Sequence, residues 1–463
     1  MSRFIFREVC ADKSIERRIK TMEIAYLPIG VPTFHLESAG EAFTQSVALL
    51  KEIDPAVKVP EEMLLSIEKL QHFAQTLQPD VLIVQNVTFA NGAYMMELLR
   101  RFDCPVLLWT LREPVIDGGR LRLNSLTGAF SAGNMLTQFG RAFSYVFGAP
   151  QEAGVKEKIA AFIAAVKLKK ALGELNLLQV GHTPQGFGFG RGLDAELASV
   201  FGTNLLSIEA RELINNAKAY TEQEVQSYLA DARGRIAGLE SIEAKNVLDF
   251  ARLYKAYDDY VKQNNIGALS SRCWPDFFVE FGTPVCAVLA ILNDLGVPAA
   301  CEADTYGALS MFACAFLTGK AAFFGDPVSI DEGENTLTFW HCGTAACSLA
   351  REDTGAQAGV HCNRKIGPTL EFGCKAEPEA TIFRIGKDAA GKFRFFIAGG
   401  EVLDKPKQFL GTSLVVKTKG RSEEIISRAV KAGWEPHFVV AMGNIERELE
   451  ELAHLLGIEV KKY

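Results

Sequence analysis

In "GVPAACEADTYGALSM" (296–311), Glu302 stands directly after a small apolar run and directly before an apolar helical pattern. A carboxylate inside or at the lip of a buried strand needs a partner or a task, because an unpaired buried charge is costly. Asp304 has a local explanation, since it can accept hydrogen bonds from the free amides of a helix starting near Thr305. Asp326 ends the next strand-like run, "AAFFGDP" (321–327), while His341 closes "TLTFWHC" and His437 opens a strand in "EPHFVV". Carboxylates at consecutive strand ends on one sheet edge can converge, because open α/β sheets bind ligands at the carboxyl ends of their strands. Two carboxylates, an imidazole and open positions suit a divalent ion of the Mn or Mg type rather than zinc held by thiolates. None of these residues forms a local ligand motif, and each has a plainer alternative. Asp326 before Pro327 fits a turn, His437 a half-buried strand histidine, and His341 a core histidine packed beside Trp340.

Other chemistry is weakly signalled. "GHTPQGFGFGRGLD" (181–194) follows a strand-like run, but Arg191 and Leu193 stand where a dinucleotide fingerprint needs its third glycine. The stretch reads as a flexible βα loop, and a nicotinamide dehydrogenase remains as a minor alternative. No G-x-x-x-x-G-K-[ST], G-x-S-x-G or H-E-x-x-H occurs. Ten cysteines without a C-x-x-C pair argue against both a disulfide scaffold and a local thiolate zinc site.

The elements that must position these groups are legible. The 463 residues exceed one ordinary core, and 48% hydrophobic with 23% charged residues is a globular composition. A net charge of -7 with no long basic run argues against nucleic acid as the main partner. No apolar run spans a membrane and "MSRFIFREVCADKSIERRIKTM" is no signal peptide, so a cytoplasmic location is expected. Continuous apolar strands (22–30, 79–87, 104–111) alternate with helices (38–53, 92–102), and long helical patterns cover 128–146 and 154–173. A second alternating unit opens at "LNLLQVG" (175–181). After about residue 335, short alternating runs and turns predict antiparallel strands in a small barrel or sandwich. The expected fold is α/β: two doubly wound parallel-sheet domains (1–172 and 173–330) followed by a β-rich, barrel-like C-terminal domain (331–463).

The runs "CWPDFFVEFGTPVCAVLAILNDLGVPAACEADTYGALSM", "FFGDPVSIDEGENTLTFWHCG" and "PHFVVAMGNIERELEELAHLLGIEV" resemble the L-fucose isomerase and L-arabinose isomerase superfamily, as do "YLPIGVPTF", "LLWTLREP" and "GGRLRLNSLTG" more diffusely. The resemblance implies an intracellular aldose–ketose isomerase that binds Mn²⁺, with Mg²⁺ or Co²⁺ as alternatives. It further implies a homo-oligomer (trimer, tetramer or hexamer) with its active site near a subunit interface. Carried over, the metal ligands fall on Glu302, Asp326 and His437, the two carboxylates doubling as acid and base. His341 matches an additional histidine of the arabinose enzymes. Candidate substrate contacts are Trp274, by stacking, and Arg112, Arg122, Asn124 and Tyr306, by hydrogen bonding. A neutral sugar such as L-fucose, D-arabinose or L-arabinose is the first expectation. An anionic hexose such as sulfoquinovose is the second, with Arg112, Arg120, Arg122 and Arg191 as cations. A non-catalytic sugar-binding protein on the same scaffold is the alternative from another class.

Overall fold

The computed structural model describes residues 22–463. The segment read above as no signal peptide lies, but for its last residue, outside the described residues. Two compact units form, one from the described residues up to Lys169 with Arg447–Gly457, the other from Lys170–Glu446 with Ile458–Tyr463.

In the first unit, strands β1 (Ile24–Ile29), β2 (Val81–Asn86), β3 (Val106–Thr110) and β4 (Phe143–Phe147) form a parallel sheet in that order. The helices are α1 (Leu36–Ile53), α2 (Ile67–Ala74), α3 (Gly92–Arg101), α4 (Ser125–Gln138) and α5 (Ala153–Glu174). Alternate strand side chains feed two separate cores. Leu27, Leu82, Val84 and Leu108 meet Leu70 of α2, Leu98 of α3 and Leu136 of α4 on one face. Tyr26, Ile83, Leu107 and Trp109 meet Leu50 of α1 and Ile159 and Phe162 of α5 on the other. A strand covered on both faces is apolar throughout, which is why β1 to β3 read so clearly. The helix expected over 128–146 is shorter: α4 stops at Gln138, Gly140 turns the chain at φ +66, and the remainder is β4.

The second unit opens with a parallel sheet of order β6-β5-β7-β8, built from β5 (Asn176–Val180), β6 (Asn204–Ile208), β7 (Ala268–Ser271) and β8 (Ala299–Cys301). Its C-terminal part is a closed antiparallel barrel. Strands β9 (Phe323–Asp331), β10 (Thr336–His341), β13 (Glu377–Lys387), β14 (Phe393–Val402), β15 (Thr412–Thr418) and β16 (Phe438–Ala441) pair in the cyclic order β15-β10-β9-β16-β13-β14. Strands β11 (Gln357–Gly359), β12 (Thr369–Gly373) and β17 (Glu459–Lys462) extend it at the sides. The fold class is therefore that expected: parallel α/β sheets followed by a β-rich barrel.

One expectation about this topology is corrected. Glu302 and Asp326 do not sit at neighbouring strand ends of one sheet. Glu302 follows β8, a three-residue edge strand of the parallel sheet, whereas β9 belongs to the barrel. The short turn after Asp331 folds β9 back against β10, and that hairpin draws it out of reach of so short an edge. A helix spanning Thr305–Thr318 joins the two layers, packing on β7 and β8 and also on β13 and β16. It is buried from Thr305 to Phe316, which explains an apolar pattern that runs all round rather than along one stripe.

Among the described residues, no helix is long and apolar enough to cross a membrane, and the nine cysteines there are free thiols.

Candidate active site

Backbone register brings the central groups together. In the antiparallel pair β16–β9, Phe438 lies opposite Gly325, which sets His437 across from Asp326. In β10–β9, Trp340 lies opposite Asp326, so His341 arrives one residue further along the same edge. Glu302 comes from the other sheet. Glu302 and Ala303 both take left-handed backbone (φ +59 and +55), a strained pair that ends β8 abruptly and lets the next helix begin at once. Strain of this kind persists where the surroundings over-determine it, and it concentrates at functional sites.

His437 is the hub. Its Nε2 lies 3.0 Å from Glu302 Oε2 and 3.6 Å from Asp326 Oδ1. Its Nδ1 contacts Asp304 Oδ2 at 2.9 Å. Asp304 accepts from the backbone N–H of Gly307 at 2.8 Å, so it is the helix cap that its position predicts. It also receives two guanidinium N–H groups of Arg384, at 2.6 and 3.0 Å. Both members of that ion pair are buried, as is the imidazole. Arg384 therefore fixes Asp304, and Asp304 fixes the ring and directs Nε2 at the two carboxylates. Trp274 donates its indole N–H to Glu302 Oε1 at 3.0 Å.

Aromatic rings wall the imidazole. Phe324, Phe187 and Phe189 lie 4.8, 6.2 and 5.4 Å from the His437 ring, centre to centre. The last two come from the glycine-rich loop, whose close approach requires its glycines: a Cβ on Gly190 would stand 2.8 Å from Asp304 Cα. This loop has a packing role that explains its composition without a dinucleotide.

The charges respond to this setting. Burial opposes ionisation of Glu302, yet the His437 hydrogen bond, the nearby imidazoles and the Trp274 N–H outweigh it and hold its carboxyl below the usual range. Burial raises Asp326, and the Glu302 charge adds to that. Asp304 is held well below the usual range because the Arg384 and His437 contacts overcome burial. Burial would lower His437, but Asp304, Glu302 and Asp326 raise it instead.

Sequence comparison decides the family. The L-fucose isomerase C-terminal domain matches residues 340–463. A sulfoquinovose isomerase of Clostridium sp. (strain MSTE9) is 59% identical over 442 residues, covering 95% of this chain and 99% of that protein. Sulfoquinovose isomerases of Priestia megaterium (strain ATCC 12872 / QMB1551) and Alkalicoccus urumqiensis are 38% and 36% identical, again over 95% of this chain and 99% of theirs. The chain belongs to the fucose isomerase-like family. It is an aldose–ketose isomerase.

The cleft around His437 contains groups that fit a cation. Glu302, His341 and His437 each offer a ligand atom within 4.8 Å of the others, and Asp326 adjoins them through His437. This mixture of oxygen and imidazole donors suits a hard to borderline divalent ion. A second group, Cys301, His341 and Cys342, shares one imidazole and would favour a softer metal. His341 Nδ1 faces Cys342 Sγ at 3.2 Å and Thr344 Oγ1 at 3.3 Å, which leaves Nε2 as its other donor.

The remaining candidates are placed differently. Tyr306 is buried, with its hydroxyl donating to Glu196 at 3.1 Å and Lys387 over its ring, so its polar end is turned to that pair. Arg112, Arg122 and Asn124 belong to the N-terminal unit. Arg112 makes a bidentate pair with Glu152, Arg122 lies 3.7 Å from Asp117, and Asn124 precedes its helix at φ +55 with Oδ1 accepting from Thr127. Arg120 donates to the Thr33 carbonyl. Reasoning from sequence misses Arg384 and the second role of Asp304. The available signal is a lone arginine inside the continuous apolar run "TIFRIG" of β13, all of it buried.

Proposed function

We propose that this enzyme interconverts sulfoquinovose and the corresponding 2-ketose through a cis-enediol, with Mn²⁺ held by Glu302, Asp326 and His437. The observation that carries the chemistry is the convergence of the two carboxylates, one following a strand of the parallel sheet and one in the barrel, on Nε2 of His437. The substrate reading is supported by relatives that carry that name over nearly their whole length, and it takes precedence over L-fucose, D-arabinose or L-arabinose.

Moving a carbonyl from C1 to C2 means taking a proton from carbon and returning it to the neighbouring carbon. A divalent ion in this site would supply charge to stabilise the enediolate, a contribution of several kcal/mol. One carboxylate accepts the carbon-bound proton and the other moves hydroxyl protons, a pairing worth about 10²–10⁴-fold. His437 is kept in one orientation by Asp304 throughout, and Trp274 holds the Glu302 carboxylate by its second oxygen. The phenyl rings of Phe187, Phe189 and Phe324 keep water from the imidazole.

A panel of sulfoquinovose, L-fucose, D-arabinose and L-arabinose, assayed with Mn²⁺ in D₂O by proton NMR, tests the assignment. Sulfoquinovose is expected to give the highest kcat/KM, with solvent deuterium entering at the transferred position. Turnover confined to the neutral sugars would overturn the substrate, and sugar binding without exchange would favour a non-catalytic role.

Metal affinity carries a pH signature. His437 binds its proton more tightly than an ordinary imidazole, so a cation must displace a proton that persists above the usual range. Affinity for Mn²⁺ is therefore weak on the acid side and tightens as pH rises, by up to about tenfold per pH unit for each proton displaced. Calorimetric titration of metal-stripped enzyme in buffers of different ionisation enthalpy reads those protons directly. An affinity independent of pH, with no proton release, would remove His437 from the ligand set.

A further inference from the structure

Most cations around the cleft already have anionic partners. Arg272 pairs with Asp276 at 2.7 Å, Arg384 with Asp304, and Lys387 with Glu196. Arg364 does not. Its guanidinium carbon lies 5.3 Å from the ring centre of Trp274 and 5.3 Å from that of Phe278, and no carboxylate among the described residues pairs with it. A guanidinium held over aromatic faces keeps its N–H donors, which lie in its own plane, available for an anion.

The surroundings hold this arginine in place. His361 is buried, and its carbonyl accepts the N–H groups of Arg364 at 3.2 Å and Lys365 at 2.8 Å. The N–H of His361 donates to the Ile366 carbonyl at 2.9 Å, and its Nδ1 accepts from the Asn363 N–H at 3.3 Å. The same imidazole packs edge-on against Phe278, 5.0 Å away at 84°. Phe278 in turn is presented by a π-helical turn, Phe277–Phe281, a rare conformation that recurs at functional sites. Trp274 completes the arrangement. Its N–H edge touches Glu302, where the carbonyl chemistry takes place, and its face lies under Arg364.

We propose that Arg364 binds the sulfonate at C6 of the sugar and so selects an anionic hexose over a neutral one; this rests on the substrate reading given above. A sulfonate is a permanent anion with three acceptor oxygens, which a planar guanidinium matches in the bidentate way it matches carboxylate and phosphate. The two ends of an extended hexose must lie apart, one at the carboxylates and the other beyond them. Trp274 spans that interval, with Glu302 at its edge and Arg364 on its face. Arg112, Arg120 and Arg122 already have oxygen partners within their own unit.

The test compares Mn²⁺-loaded wild type, Arg364→Gln, Arg364→Lys and Arg191→Gln on sulfoquinovose and on 6-deoxy-D-glucose, the same sugar with hydrogen in place of the sulfonate. The ratio of kcat/KM for the charged over the uncharged sugar is expected to fall roughly 10- to 100-fold in Arg364→Gln, chiefly through KM, with partial recovery in Arg364→Lys. An unchanged ratio in Arg364→Gln overturns the assignment, as does an equal loss on both sugars, which marks a structural role. A loss of selectivity in Arg191→Gln instead moves the anchor to the glycine-rich loop and overturns it as well. If wild type turns over neutral sugars but not sulfoquinovose, the substrate reading itself falls, and this assignment with it.

Discussion

Glu302→Gln and Asp326→Asn each reduce isomerisation by roughly 10⁴-fold or more, with the fold retained. Both replacements keep shape and hydrogen-bonding capacity while removing the charge. In Glu302→Gln the new amide oxygen can still accept the Trp274 N–H, which in the native site reaches Oε1 at 3.0 Å, so the strained turn keeps its side-chain anchor. What is lost is an anion beside His437 Nε2 and a group able to take a proton. Asp326→Asn acts on the barrel side of the same cleft and leaves the β9–β16 register untouched. Circular dichroism and thermal melting should follow wild type, while bound Mn²⁺ falls in both variants. Residual turnover above about 1% of wild type in either would place that carboxylate outside the chemistry.

Arg384→Met destabilises the protein by about 3–5 kcal/mol, the cost of leaving a buried charge without its partner. Arg384 and Asp304 are 0% and 1% exposed, so water cannot take the place of the missing guanidinium. Asp304 would keep only the Gly307 N–H and the His437 ring. Removing both charges separates structure from function. Arg384→Met with Asp304→Leu should recover much of the lost stability, because an apolar pair of similar volume tolerates burial. It should not recover Mn²⁺ affinity, since His437 then has nothing at Nδ1, and losing the group that orients a ligating imidazole costs about 10–100-fold in metal binding. The readouts are the melting temperature and calorimetric Mn²⁺ titration. A single variant that melts like wild type, or a double variant with wild-type metal affinity, would refute the positioning role.

The early strands are readable because a sheet covered on both faces demands largely apolar runs, and "IAYLPI", the "VLIV" of β2 and the "VLLW" of β3 supply them. The barrel strands are readable from alternation and turn residues. Less is available where helix and strand signals overlap, as at 128–146, where a glycine turn decides between them. The sheet to which β9 belongs is not readable, because strand pairing is settled by partners distant along the chain.

At the site, Glu302, Asp326 and His437 stand out at strand ends, and the family resemblance gives them a shared role as ligands. Asp304 is legible only as a cap. Its second task depends on Arg384, 80 residues later, and His437, 133 residues later. In the same way, Arg364 in "HCNRK" is one exposed arginine among many until Trp274 and Phe278 are seen on either hand.

The sequence alone therefore determined the layered α/β character, the β-rich end and the chemical type of the reacting groups, since these depend on local periodicity and residue identity. The tertiary structure decided which strand faces which, what supports His437, and that Arg364 is set over Trp274 and Phe278 rather than against a carboxylate. Those outcomes depend on side chains meeting across large sequence separations, and no local pattern encodes such meetings.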